Sequence, residues 1–444
     1  MLDALISFDA KTRMAALAEL AKTTRFPEET AQVNMHLHTF FSYNGEGWSP
    51  ARIAYEMKKL GVYSAAICDF DVLQGLDEFI AAADLLRLRA AVAFESRTFF
   101  REYADKEINS PGEPGVFYFM GMGFVRKPAP GSNAAAVFKD MLERSHARNR
   151  AVIARINAKL TDFQLDYDAD VLPLTPEKNA TERHICLAFH NKALKVLGSA
   201  EKAAASWARV LGIAMEEAQA KIDNQNAFTD LLRSKLIKKG GVGYAQPDDK
   251  TFPLLDDVTA MILECRAIPM TAWLDGALPG EANPVEQLEL LKAKGVPAVN
   301  IIPDRNWNFK DEAKKAVKVA ELNKYVAAAT ALDMPINVGT EANKPGQRLL
   351  DDFACDALAP HHAAFLKGAQ IMVGHTRLLR FADLSYTDKT ADERFANTAA
   401  KNDFFAAVGA LPAPADDVLA KLSDSTPDKA FAYLADSAKK GAWI

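Results

Sequence analysis

The chain has 444 residues, is 49% hydrophobic and 25% charged, and carries a formal net charge of −5 with a pI near 6.0. This is the balance of a folded globular protein, and it argues against nonspecific nucleic-acid binding, which needs a basic face. There is no membrane-length apolar run and no secretory leader pattern, and Cys68, Cys186, Cys265 and Cys355 are widely spaced, so reduced thiols and a cytoplasmic location are expected.

In chain order, residues 1–30 read as an amphipathic helix with Leu2, Leu5, Ile6, Met14, Leu17 and Leu20 in helix-like spacing. Strands are expected at 32–38, 64–68, 90–95, 116–123, 267–273, 298–302 and 336–339, mostly separated by helical segments. Such alternation of β and α elements implies a parallel sheet. A long, mostly helical stretch from about 138 to 253 interrupts the pattern and is expected to cap the sheet's ligand-binding end. From residue 384 the chain turns helical again as a C-terminal extension, which leaves 31–383 as the main domain.

Val33-Asn34-Met35-His36-Leu37-His38-Thr39 is the most informative stretch. Alternate residues on a strand share a face, so His36 and His38 aim at one point, a frequent beginning of a divalent metal site. Asp69 and Asp71 close the second strand, and Glu95 closes the third. In a (β/α) barrel such ends share one mouth, where active sites lie.

The succession H-x-H-T-x-x-S-x-N-G from His36, A-I-C-D-F-D-x-x-x-G from Ala66 and A-F-E ending at Glu95 resembles the opening of the PHP (polymerase and histidinol phosphatase) family. Those proteins read H-x-H-T-x-x-S-x-D-G, T-D-H-D-x-x-x-G and G-x-E. Further on, Glu182-Arg183-His184-Ile185-Cys186 resembles the R-P-H-I/F-A segment of the phosphoesterase branch. The strand ending at Trp273 stands where that branch has A-H-P, and Gly339-Thr340-Glu341-Ala342-Asn343-Lys344 stands where it has G-S-D-x-H-G.

The resemblance implies a distorted (β/α)7 TIM-like barrel with a helical insertion and a C-terminal helical extension. It implies a divalent metal on His36, His38, Glu95 and Glu341, a donor set that suits Zn, Mn or Fe. Other family ligand positions have changed. Phe70, Asn44, Trp273 and Asn343 replace expected ligands, and the fourth strand offers Phe117, Tyr118 and Phe119 instead of a histidine. One ion, or none, is therefore expected rather than three, with Phe70 and Trp273 forming an apolar wall of the same cavity.

Asp69 or His184 is expected as general base or acid. Arg183, Arg305, Asn343 and Lys344 are expected to bind substrate, because guanidinium groups hold phosphate or carboxylate through paired hydrogen bonds. The blander alternatives are a helix-start ion pair for Asp304-Arg305 and a structural hydrogen bond for His184. The leading reading is a metal-dependent phosphoesterase acting on a small phosphorylated metabolite. The alternatives are a reduced barrel that binds a sugar or phosphorylated metabolite without turnover, and other one-metal chemistry on a sugar.

Overall fold

The computed structural model describes residues 1–444. Seven strands, β1 (Val33–Leu37), β2 (Ser64–Phe70), β3 (Arg89–Phe99), β4 (Val116–Met122), β5 (Ile268–Trp273), β6 (Ala298–Ile301) and β7 (Ile336–Val338), form one sheet in sequence order. The last strand returns to the first. His38 N donates to the Glu341 carbonyl and Glu341 N to the His36 carbonyl, each at 2.8 Å, so β7 closes on β1 and makes a TIM-like barrel. Gly339 permits the closure, since a Cβ there would lie 2.4 Å from the backbone nitrogen of His36.

Two features depart from the sequence reading. The sheet is not fully parallel: β4 runs antiparallel to both β3 and β5. No helix crosses over between β3 and β4, and a parallel return needs such a crossover. The early residues of β4 therefore lie at the mouth, which brings Tyr118 rather than a strand-end residue there. Second, β3 does not end at Glu95. It continues to Phe99, and Glu95 sits mid-strand opposite Phe70, the last residue of β2.

The helices α1 (Ala10–Thr23), α2 (Pro50–Lys59) and α3 (Leu76–Leu86) cover one side of the barrel. The expected N-terminal helix is shorter than 30 residues. A 3-10 turn, Asp3–Ile6, precedes it, and Asp9 caps α1 by accepting from Thr12 N at 2.8 Å. Leu5, Leu17 and Leu20 are buried, whereas Leu2 and Ile6 are exposed.

The insertion comprises α4 (Asn133–Asn157), α5 (Glu182–Leu197), α6 (Ala200–Leu211), α7 (Met215–Ile222) and α8 (Gln225–Leu232). It has an apolar core of its own, which includes Phe163, Phe189, Trp207 and Phe228. The chain re-enters the barrel through α9 (Leu255–Glu264) and continues with α10 (Pro284–Ala293), α11 (Asp304–Trp307) and α12 (Glu312–Ala331). After β7 comes α13 (His362–Ala382), a helix the sequence reading did not single out, which packs along β7. It holds the C-terminal helices through Arg377, whose guanidinium donates to the carbonyls of Val408 at 2.9 Å and Leu411 at 2.8 Å. No helix is long and apolar enough to cross a membrane.

Candidate metal centre

Strand β1 alternates strictly at its end. Met35 and Leu37 face the surrounding helices, and Asn34, His36 and His38 are buried polar residues. His36 Nε2 lies 3.6 Å and His38 Nε2 3.5 Å from Glu95 Oε2. The three ligand atoms lie within 4.8 Å of one another, close enough to share one ion. All three side chains are buried, and neither Nε2 atom has a hydrogen-bond partner.

The hydrogen bonds around His38 define its proton. Thr39 N at 2.8 Å, Thr39 Oγ1 at 2.7 Å and Ser42 Oγ at 2.7 Å all donate to Asp69. Ser42 has then spent its only proton, so at 3.2 Å its oxygen accepts from His38 Nδ1–H. The Nε2 of His38 is left with a lone pair that faces a carboxylate oxygen. Burial, with His36 alongside, pushes His38 down to about 3, and the neutral form prevails. Burial raises Glu95, and His36 only partly offsets it. For His36, burial disfavours the charged ring, but Glu95 overrides it and the net direction is upward. Two imidazole nitrogens and a carboxylate oxygen at these separations match one divalent cation of the Zn, Mn or Fe class in donor type and spacing.

Glu341 takes another partner. Arg305 Nη2 lies 3.3 and 3.4 Å from its two carboxylate oxygens, and Asn343 Nδ2 donates to it at 3.2 Å. Its backbone is left-handed, φ 68°, as is that of Ala342, φ 53°, and Asp71 after β2 has φ 59°. Non-glycine residues in this region are uncommon, and three of the chain's eight, Asp71, Glu341 and Ala342, follow strands β2 and β7. The 342–345 loop also packs against Gly45, where a Cβ would meet the Lys344 carbonyl carbon at 2.2 Å.

Asp69, saturated by three donors, holds the 39–42 turn and, through Ser42, orients His38; it does not face the ligand cluster as a free base. His184 completes the capping box of α5, accepting from Thr181 N at 3.1 Å through Nδ1, and burial pushes it to about 3. Its ring meets Tyr43 edge-on at 5.1 Å. Arg183 pairs with Asp230 at 3.1 Å and lies over Tyr43 at 5.5 Å. Lys344 is exposed. Asn179 fastens the insertion to the mouth, donating to the carbonyls of Phe41 at 3.0 Å and Phe70 at 2.8 Å. Asn44 is explained by its amide, which donates to the His38 carbonyl at 2.8 Å, as an aspartate could not.

Phe70 stacks on His38, with ring centroids 4.8 Å apart and planes at 15°. Trp273 does not join it. Its ring stacks on Tyr325 of α12 at 4.6 Å, in the outer helical layer, so the expected shared wall is corrected to Phe70 with Tyr118, 6.3 Å away. Sequence reasoning missed Asn300 and Asn337, both buried in the barrel. Their signal was a polar residue at the centre of an otherwise apolar strand.

Trp307 Nε1 donates to buried Asp351 at 2.8 Å and ties the segments after β6 and β7 together. Burial pushes Asp351 up to about 7, against the pull of that hydrogen bond. A raised carboxyl binds its proton more tightly folded than unfolded. Stability therefore falls as pH rises from the unfolded value toward 7 and is constant above. Asp351→Asn keeps the acceptor for Trp307. It is expected to stabilise the protein near pH 8 by on the order of 2 kcal/mol and to change little near pH 4. Urea unfolding at the two pH values reads the difference, and equal shifts at both would contradict it.

No protein-family model matches the sequence, and no curated protein matches it. Among solved structures, an amidohydrolase from Chromobacterium violaceum with bound sulfate and no metal is 15% identical, with a TM-score of 0.49. The similarity covers 75% of this chain and 96% of that one. A protein from Bifidobacterium adolescentis, provisionally assigned as a metal-dependent phosphoesterase, is also 15% identical, with a TM-score of 0.46 over 77% of this chain and 98% of its own. Both likenesses are too distant to transfer a ligand or a reaction.

Proposed function

We propose that the protein is a metal-dependent hydrolase of the PHP type, a phosphoesterase for a small phosphorylated metabolite, with one divalent cation held by His36, His38 and Glu95. The observation that carries this reading is a ring nitrogen that faces a carboxylate. The buried His38 Nε2 has no hydrogen-bond partner, and a Glu95 oxygen lies 3.5 Å from it. A shared cation satisfies both. Bound there, such an ion supplies an acidified water and polarises the scissile group.

The chain's own residues do the rest. Asp69 and Ser42 fix the ring of His38. Arg305, Arg183 and Lys344 provide positive charge for a phosphate, while Asn343 and Arg305 hold the Glu341 carboxylate beside the ligands. Phe70 and Tyr118 exclude water from one side, and His184, neutral and accepting through Nδ1, has its Nε2–H free to offer a hydrogen bond.

The stacking of Phe70 on His38 favours a second reading, a barrel that binds a phosphorylated metabolite without turnover, because the ring fills space beside the ligands. Metal analysis after exposure to Zn, Mn or Fe, together with a broad phosphoester screen, separates the two. One equivalent of metal with metal-dependent hydrolysis is expected. Metal binding and ligand binding without hydrolysis favours the second reading, and no metal uptake from excess Zn or Mn removes the enzyme reading.

A further inference from the structure

Beneath the histidine pair lies a polar relay with a direction. Asn300 of β6 and Asn337 of β7 are paired across the two strands, and both are fully buried. Asn337 Nδ2 donates to the Met35 carbonyl at 3.1 Å and to Asn300 Oδ1 at 2.8 Å. A carbonyl only accepts, so Met35 determines which end of the Asn337 amide faces β1, and Asn337 in turn determines the orientation of Asn300. The Nδ2 of Asn300 is thereby turned toward Nδ1 of His36, at 3.2 Å. An amide N–H only donates. Nδ1 of His36 therefore keeps the lone pair, and the neutral ring carries its proton on Nε2, the atom that faces Glu95. His38 has the opposite arrangement, with Nδ1–H donated to Ser42.

We infer that Asn337 and Asn300 are positioning residues that hold His36 in the Nε2–H tautomer, so that the H-x-H pair is asymmetric and His36 becomes a metal ligand only after the relay is reversed. The inference rests on the metal reading above for its functional meaning, though not for its geometry. A histidine that ligates through Nε2 ordinarily donates Nδ1–H to an acceptor, and such outer partners change metal affinity by about 10–100-fold. Reversing this relay sets an Asn337 oxygen against the Met35 carbonyl, which opposes binding. The wild-type site should accordingly hold its cation loosely and depend on added metal.

Asn300→Asp is the informative change. It conserves shape, and its carboxylate accepts from Asn337 Nδ2 and from His36 Nδ1–H together. Nitrogen-15 NMR of the metal-free proteins, at a pH where the rings are neutral, reads the tautomers, with His36→Gln used for assignment. Titration with Zn reads the affinity. We expect Nε2–H on His36 in the wild type, Nδ1–H in Asn300→Asp, and Zn binding at least about 10-fold tighter in the variant. Nδ1–H in the wild type overturns the inference whatever the metal result, and it can be read even if the variant does not fold. Equal Zn affinity in the two proteins overturns the link to the metal. Failure of both proteins to bind Zn removes the metal reading itself, while the NMR still decides the tautomer.

Discussion

If the proposed reading holds, replacing His38 with alanine is expected to abolish divalent-metal binding and to cut phosphoester hydrolysis by about 1000-fold or more, since both water activation and charge neutralisation would depend on the ion. Of the candidate ligands, His38 is the one whose outer hydrogen bond already suits ligation, because the ordered run Asp69, Ser42, His38 leaves its lone pair on Nε2. Loss of His36 should be milder, because its tautomer has to be reversed before it contributes. The His38→Ala protein should remain folded. Ser42 loses one donor and Phe70 loses its stacking partner, a cost of about 1–3 kcal/mol. Metal analysis after dialysis, phosphoester turnover and a thermal melt, compared with wild type, check the three parts. Undiminished metal and turnover would remove His38 from the centre.

The largest expected effect on stability lies away from the site. Arg13 of α1 is 2% exposed and holds Glu78 of α3, 8% exposed, through two hydrogen bonds; the one from Nε to Oε1 is 2.8 Å. Arg13 also donates to the Ser7 carbonyl at 2.6 Å and lies over Phe40 at 5.1 Å, while Glu78 accepts from Ala51 N of α2 at 3.1 Å. One ion pair thus joins three helices to the turn that carries Phe40, two residues beyond His38. Arg13→Met is expected to cost about 3–5 kcal/mol, because it strands a carboxylate in a buried place. Adding Glu78→Gln removes the stranded charge and should recover much of the loss, since an apolar or neutral replacement of both partners is far cheaper than removal of one. Urea unfolding of the single and double variants measures this. A single variant within about 1 kcal/mol of wild type would show that the carboxylate finds another partner or water.

What was legible in the sequence depended on short-range rules. The two-residue period of a strand puts His36 and His38 on one side, and the alternation of apolar strands with helices marks seven strands in the right places. The order of the motifs from His36 to Lys344 pointed to a barrel with the mouth where the polar residues are. The direction of β4 was less legible, because a strand reads alike in either sense and only the lack of a crossover helix after β3 distinguishes them. Other features depend on tertiary contacts. Trp273 turned to Tyr325 because α12 packs on that side of β5. Glu341 was drawn to Arg305, which no local pattern couples to it. The proton positions of the two histidines, 264 residues from Asn300 in the case of His36, follow from a hydrogen-bond chain that exists only once β7 has closed on β1. Candidate ligands can be read from residue types at strand spacing, but which nitrogen carries a proton is decided by whichever donor or acceptor the closed barrel brings to the far side of the ring.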